Sequence, residues 1–170
     1  MRDEQRLSYT LVDSPIGELL LAGDDTGLRL INFQTGRHRV SPRSLWRADR
    51  HPFGEAVRQL RAYFEGDLRT FDLVLSPEGT SFQLAVWRAL QEIPYGETIS
   101  YGELARRVGN PQSSRAVGSA NGRNPLPIVI PCHRVIGGDG SLTGYGGGLR
   151  IKRALLDLER RHSGTTLPGF

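Results

Sequence analysis

The chain has 170 residues, room for one domain or two small ones. At 38% hydrophobic and 24% charged it is too apolar to be disordered, yet no apolar run reaches the roughly 18–20 residues of a membrane-spanning helix. The single cysteine, Cys132, excludes an intrachain disulfide and every zinc site that needs two thiolates. The net charge of +4 is unevenly placed: residues 1–79 carry 11 Arg against 12 acids, and residues 80–170 carry 11 Arg or Lys against 6. A basic second half points weakly to a polyanionic partner, with an ordinary solvated surface as the plain alternative.

The polar stretch at residues 1–6 lacks the apolar core of a signal peptide, so an intracellular, cytoplasmic protein is expected. Residues 9–12 and 18–22 are short apolar runs separated by turn chemistry from Asp13 to Gly17, which predicts a hairpin. Residues 28–33 alternate like a third strand, and residues 34–52 read as polar loop. Phe53, Val57, Leu60 and Phe64 recur at helical spacing, with Gly66 placed as the C-terminal cap. Residues 71–75 alternate again and predict a further strand, and residues 76–79 form a candidate linker. The expected division is a small α/β domain over residues 1–79 and a second domain over residues 80–170.

The second half reads as helices. Thr80 and Gln83 fit a capping box that opens a helix with Phe82, Val86, Leu90 and Ile93 on one face, ended by Pro94. Residues 100–108 and 113–120 predict two more helices around the breaker Gly109-Asn110-Pro111, the layout of a helix-turn-helix or of a plain helical hairpin. The later helix offers small residues and Arg115, which suit close packing or close approach to a nucleic-acid backbone better than base-edge readout in the major groove.

The stretch with most chemistry runs from Asn124 to Val135. Three prolines among residues 125–131 exclude an α-helix and predict a stiff, extended segment that buries Ile128, Val129 and Ile130 and delivers Cys132 at its end. A cysteine beside His133 and Arg134 has electropositive neighbours, which predicts an ionisable thiol. A lone cysteine is otherwise more often a small buried hydrophobe. Glu159, on the last predicted helix, could orient His133 and complete a Cys-His-Glu relay, a pairing that spacing alone does not fix.

Ile130-Pro131-Cys132-His133-Arg134-Val135 resembles the active-site signature of the O6-alkylguanine-DNA alkyltransferases. The resemblance extends through residues 95–101, 114–118, Asn124-Pro125 and 143–149, and so covers most of residues 80–160. It implies a ribonuclease-H-like α/β first domain, with a small antiparallel sheet plus helix, and a mostly α, winged helix-turn-helix second domain. It implies single-turnover repair, in which Cys132 takes the alkyl group of O6-alkylguanine from a base turned out of double-stranded DNA. Acceptance of O4-alkylthymine is left open.

By the same resemblance, His133 and Glu159 relay the thiol proton and Tyr101 hydrogen-bonds the departing guanine. Arg115 fills the space of the flipped base, and Asn124 braces the turn before the active-site segment. Tyr145, Gly146 and Gly147 wall the pocket, while Ser114, Gly118 and Asn121 belong to the DNA-facing helix. Many relatives carry Ser where this chain has Gly146. Some hold a structural zinc in the first domain, but here that half offers only His38 and His51, so no metal and no cofactor are expected. The expected protein is a monomer bound in the minor groove, with clustering on DNA left open. Two other readings stand beside it: a cysteine hydrolase, and a non-catalytic winged-helix DNA-binding protein.

Overall fold

The computed structural model describes residues 6–164, so the polar stretch at residues 1–5 lies outside the described residues. The chain divides into two compact units, Met1–Glu78 and Gly79–Phe170.

In the first unit, β1 (Ser8–Val12) and β2 (Leu19–Asp24) form the predicted hairpin, and β3 (Gly27–Phe33) adds antiparallel to β2. Gly17 closes the first turn at φ +107, a conformation that a side chain would strain. β2 lies centrally in the order β3-β2-β1-β4, and Leu19, Leu20, Leu21 and Ala22 are all fully buried. That continuous apolar run, rather than an alternating one, marks a strand covered on both faces. α1 (Gly54–Glu65) buries Val57, Leu60 and Tyr63, and Gly66 caps it at φ 84 with its N–H on the carbonyls of Ala62 and Tyr63.

Three sequence expectations for this unit need correction. Residues 34–52 are not all loop, because β4 (Arg47–Ala48) pairs with β1 and a single 3-10 turn follows at His51–Phe53. The β1–β4 pair is parallel, so the sheet is mixed rather than antiparallel: β3 runs in the direction of β1, and a chain returning to the far edge arrives in that same direction. Residues 71–75 form no strand, only an isolated parallel bridge between Leu28 and Leu75. Here a side chain takes the place of a ladder partner. The Gln59 amide, buried in α1, donates to the Asp72 carbonyl (2.9 Å) and accepts from the Asp72 N–H (2.8 Å).

The second unit is mostly helical. α2 (Ser81–Gln91) starts with the expected capping box: Gln83 N–H donates to Thr80 Oγ1 (3.1 Å), and Thr80 N–H donates to Gln83 Oε1 (3.0 Å). α3 (Tyr101–Arg107), with Ser100 as N-cap, packs on α4 (Ser114–Gly122) across a turn containing Gly109 at φ 86. Gly118 faces the Tyr101 ring, where a Cβ would stand in ordinary van der Waals contact at 3.7 Å. Trp87 Nε1 donates to the Ala120 carbonyl (2.9 Å) and ties α2 to α4.

The segment after α4 is compact rather than extended. Ile130 N–H bonds the Leu126 carbonyl, Cys132 N–H the Ile130 carbonyl and Arg134 N–H the Pro131 carbonyl, leading into a 3-10 turn at Cys132–Arg134. Prolines forbid an α-helix, but these turns draw donors only from residues 130, 132 and 134, none of which is proline. Ile128, fully buried, is held at φ 74, a strained value for a β-branched residue. β6 (Val135–Ile136) then pairs in parallel with β5 (Ile99–Ser100), which brings the start of α3 beside the Cys132 turn. α5 (Leu149–His162) closes the unit. Among the described residues no helix is long and apolar enough to cross a membrane.

Candidate active site

The 3-10 turn places Cys132 and His133 in the interior, at 4% and 0% exposure. α5 brings Glu159 to them, so residues 26 positions apart in the chain meet: His133 Nε2 lies 2.6 Å from Glu159 Oε1. Arg134 grips the same carboxylate, with Nη2 donating to Oε1 (2.8 Å) and Nε to Oε2 (2.9 Å), while Gly96 N–H donates to Oε2 (3.2 Å). Burial would raise the Glu159 carboxyl, but the bonds and charges of His133 and Arg134 prevail and hold it at about 2. It is an anion at every working pH. His133 is pushed below its ordinary value, first by burial, although Glu159 pulls the other way. It is therefore a neutral imidazole at neutral pH, and its Nδ1 is buried with no protein partner.

The sulfur departs from the sequence expectation. Burial pushes the Cys132 thiol up to about 11, and this outweighs hydrogen bonds from Asn124 and Tyr145 and the charge of Lys152. Positive sequence neighbours do not keep it ionised, because one of them, Arg134, spends its charge on Glu159. At neutral pH the sulfur is therefore a thiol and not a thiolate. Nucleophilic attack by this sulfur requires a base to accept the thiol proton.

The remaining sequence candidates fall into two groups. Asn124 donates to the Ile130 carbonyl (2.8 Å) and accepts from Leu126 N–H (2.9 Å). Asn121, on the buried face of α4, reaches the Cys132 carbonyl at 3.5 Å, and its own Oδ1 has no partner. The half-buried Tyr101 hydroxyl lies 3.4 Å from the Thr143 carbonyl. Tyr145 and Gly147 are half-buried, whereas Gly146 is exposed and a Cβ there would meet open space. Ser114 and Arg115 lie apart from the buried cluster, exposed at the start of α4.

Two residues of the cluster escaped the sequence reading. In sequence Arg134 reads only as a charged neighbour of the cysteine. Lys152 is fully buried and donates from Nζ to the carbonyls of Val135 (2.6 Å) and Thr143 (2.9 Å). Its signal was available, since it is the one lysine among 22 basic residues. Among the described residues no group of three or more His, Cys, Asp or Glu side chains is placed to hold a metal ion.

Fold and site together define a thiol-centred protein, in which a helical unit delivers one buried cysteine to a histidine–carboxylate pair and a small sheet unit precedes it. Residues 7–77 match the ribonuclease-like domain of 6-O-methylguanine DNA methyltransferase, and residues 81–161 match its DNA binding domain. The chain belongs to the 6-O-methylguanine DNA methyltransferase family. It is 56% identical over 151 residues to the methylated-DNA--protein-cysteine methyltransferase of Methanosarcina acetivorans, covering 89% of this chain and 97% of that protein. It is 55% identical to the protein of the same name from Mycolicibacterium paratuberculosis, covering 96% and 99%. Among solved structures it resembles Mycobacterium tuberculosis O6-methylguanine methyltransferase, with a TM-score of 0.86, 51% identity and coverage of 95% and 97%. It also resembles the M. tuberculosis OGT crystallised in complex with DNA, with a TM-score of 0.85, 52% identity and coverage of 91% and 94%.

Proposed function

We propose that this protein repairs O6-alkylated guanine in DNA by moving the alkyl group irreversibly to Cys132. One observation carries the reading: buried Cys132 shares a 3-10 turn with a buried histidine whose Nδ1 has no hydrogen-bond partner among the described residues and whose Nε2 lies 2.6 Å from the Glu159 carboxylate. The sulfur attacks the alkyl carbon, a C–S bond forms and the bond from that carbon to guanine O6 breaks. The thiol proton passes to His133 Nδ1, directly or through one water, and Glu159 stabilises the resulting imidazolium. Tyr101 donates to the guanine ring as negative charge builds on it. With a proton delivered to the departing base, no net acid or base is consumed. A thioether is not readily hydrolysed, so the protein acts once.

The DNA-bound state follows from the helices. We assign α3 and α4 to a winged helix-turn-helix, although the short sheet beside them is parallel. The small residues of α4, Ser114 and Gly118 among them, allow close approach in the minor groove. Arg115, exposed and without a partner among the described residues, enters the duplex as the damaged base leaves it. Tyr145, Gly146 and Gly147 line the pocket that receives the base. The protein works as a cytoplasmic monomer on double-stranded DNA, without metal or cofactor.

The test is stoichiometric. With duplex O6-methylguanine DNA in excess, restoration of guanine stops at one equivalent per protein molecule. Continued turnover would favour the hydrolase reading, and no restoration with intact DNA binding would favour the binder.

A further inference from the structure

We propose that Arg134 is a positioning residue for the transfer: by balancing the charge of Glu159 it leaves His133 an uncharged base, able to accept the Cys132 proton. This rests on the function proposed above and adds a residue to its machinery. A histidine clamped 2.6 Å from a lone buried carboxylate would be held as an imidazolium, because the anion repays the proton it carries. Such a histidine could not take a second proton, and the relay would stall before it began. Here the carboxylate is not alone.

Arg134 is buried and uses all three directions of its guanidinium: two donors go to the two oxygens of Glu159 and the third, Nη1, to the Ile93 carbonyl (2.7 Å). The guanidinium carbon also lies 5.7 Å from the centre of the Tyr95 ring. These contacts fix the guanidinium against the carboxylate, so that its positive charge offsets part of the negative charge that Glu159 presents to the imidazole. The charged groups acting on His133 are Glu159 and Lys152 from α5 and Arg134 from its own turn, with the Cys132 thiol neutral beside it. The turn that follows α2 supplies both the Ile93 carbonyl and the Gly96 N–H. Burial does most to keep the ring unprotonated; two of the three charges, both cations, act in the same direction, and Arg134 offsets part of the opposing pull of Glu159.

A bidentate arginine would also serve as a brace, so the test must separate charge from geometry. Arg134→Lys keeps the charge and loses the fork, whereas Arg134→Gln keeps a hydrogen-bonding side chain and loses the charge. The readout is NMR titration of the His133 ring, with the chain's three other histidines as internal references, together with the acid limb of the transfer rate. In Arg134→Gln both should move so that His133 protonates at about tenfold lower proton concentration than in the parent. In Arg134→Lys both should stay with the parent even where the rate at the plateau falls.

An unmoved His133 titration in folded Arg134→Gln, or an equal shift in both variants, overturns the proposal. Should Arg134→Gln not fold, the double variant Arg134→Gln/Glu159→Gln decides. His133 then faces no net charge from either position, so its titration should stay near or below that of the parent, and a rise would contradict the proposal. A parent protein that transfers no alkyl group would instead count against the function itself, since the ring titration is read without substrate.

Discussion

The two units treat charge in opposite ways. In the first, ion pairs are exposed or partly exposed, Glu55 with Arg58 on α1 at 56% and 64% side-chain exposure and Arg29 with Asp24 at 15% and 24%, and among the described residues the buried polar side chains are the uncharged Thr10 and Gln59. Even its cavity of about 340 Å³, edged by Asp24, Asp25, Glu55 and Asp72, ties Asp24 to Arg29 and Glu55 to Arg58. The second unit buries His133, Arg134, Lys152 and Glu159 within one cluster around a thiol. Taking ions out of water costs several kcal/mol each, and a hydrophobic replacement of similar volume is often as stable or more so. Stability alone therefore does not explain the second arrangement, and the proton relay proposed above supplies a reason for it.

Removing one carboxylate from each unit would break or sharpen that contrast most directly. Glu159→Ala strands Arg134 and His133 in the interior and should cost about 3–5 kcal/mol in denaturant unfolding. Glu55→Ala, which loses a surface pair with Arg58 and one bond from Gln59, should lower the unfolding midpoint far less. Equal effects would erase the distinction.

Acid should act on the second unit in two stages. His133 takes up its proton less readily folded than unfolded, so stability declines as pH falls below about 6.5, the unfolded value. Glu159 is depressed to about 2, so its stabilisation is complete above about 4.5 and is lost as pH falls toward 2. Amide exchange in α5 followed through that range should show progressive loss of protection, and flat protection down to pH 3 would contradict it.

Methylation of Cys132 adds volume to a site that is 4% exposed, and should destabilise the protein by roughly 1–3 kcal/mol. A melting temperature unchanged between reacted and unreacted protein would show that the site has slack. The smallest effect is expected at the exposed end of α4. Arg115→Ala should slow repair in duplex DNA by about tenfold while leaving reaction with free O6-alkylguanine base near the parent rate. Equal losses on both substrates would remove the proposed flipping role.

Much of this was legible in the sequence where local chemistry decides the outcome. Thr80 and Gln83 announced the start of α2, Gly66 announced the end of α1, and the order of prolines and apolar residues before Cys132 announced a buried, non-helical approach. The illegible parts are those settled by partners distant in the chain. Gln59 replaces a strand partner for Asp72, and no alternation at residues 71–75 could reveal that. Arg134 reads in sequence as a charge beside the cysteine, but the fold turns it toward Glu159, and the thiol rises instead of falling. The His133–Glu159 contact needed α5 to be placed before it could be more than a candidate.

The most direct test of the central claim is the intact mass of the protein, with peptide mapping, after incubation with duplex DNA carrying one O6-methylguanine. The account predicts a gain of one CH2 per molecule, located on Cys132, and none in Cys132→Ala, which should still bind the DNA. A modification on any other residue, or restored guanine with no gain in protein mass, would contradict it.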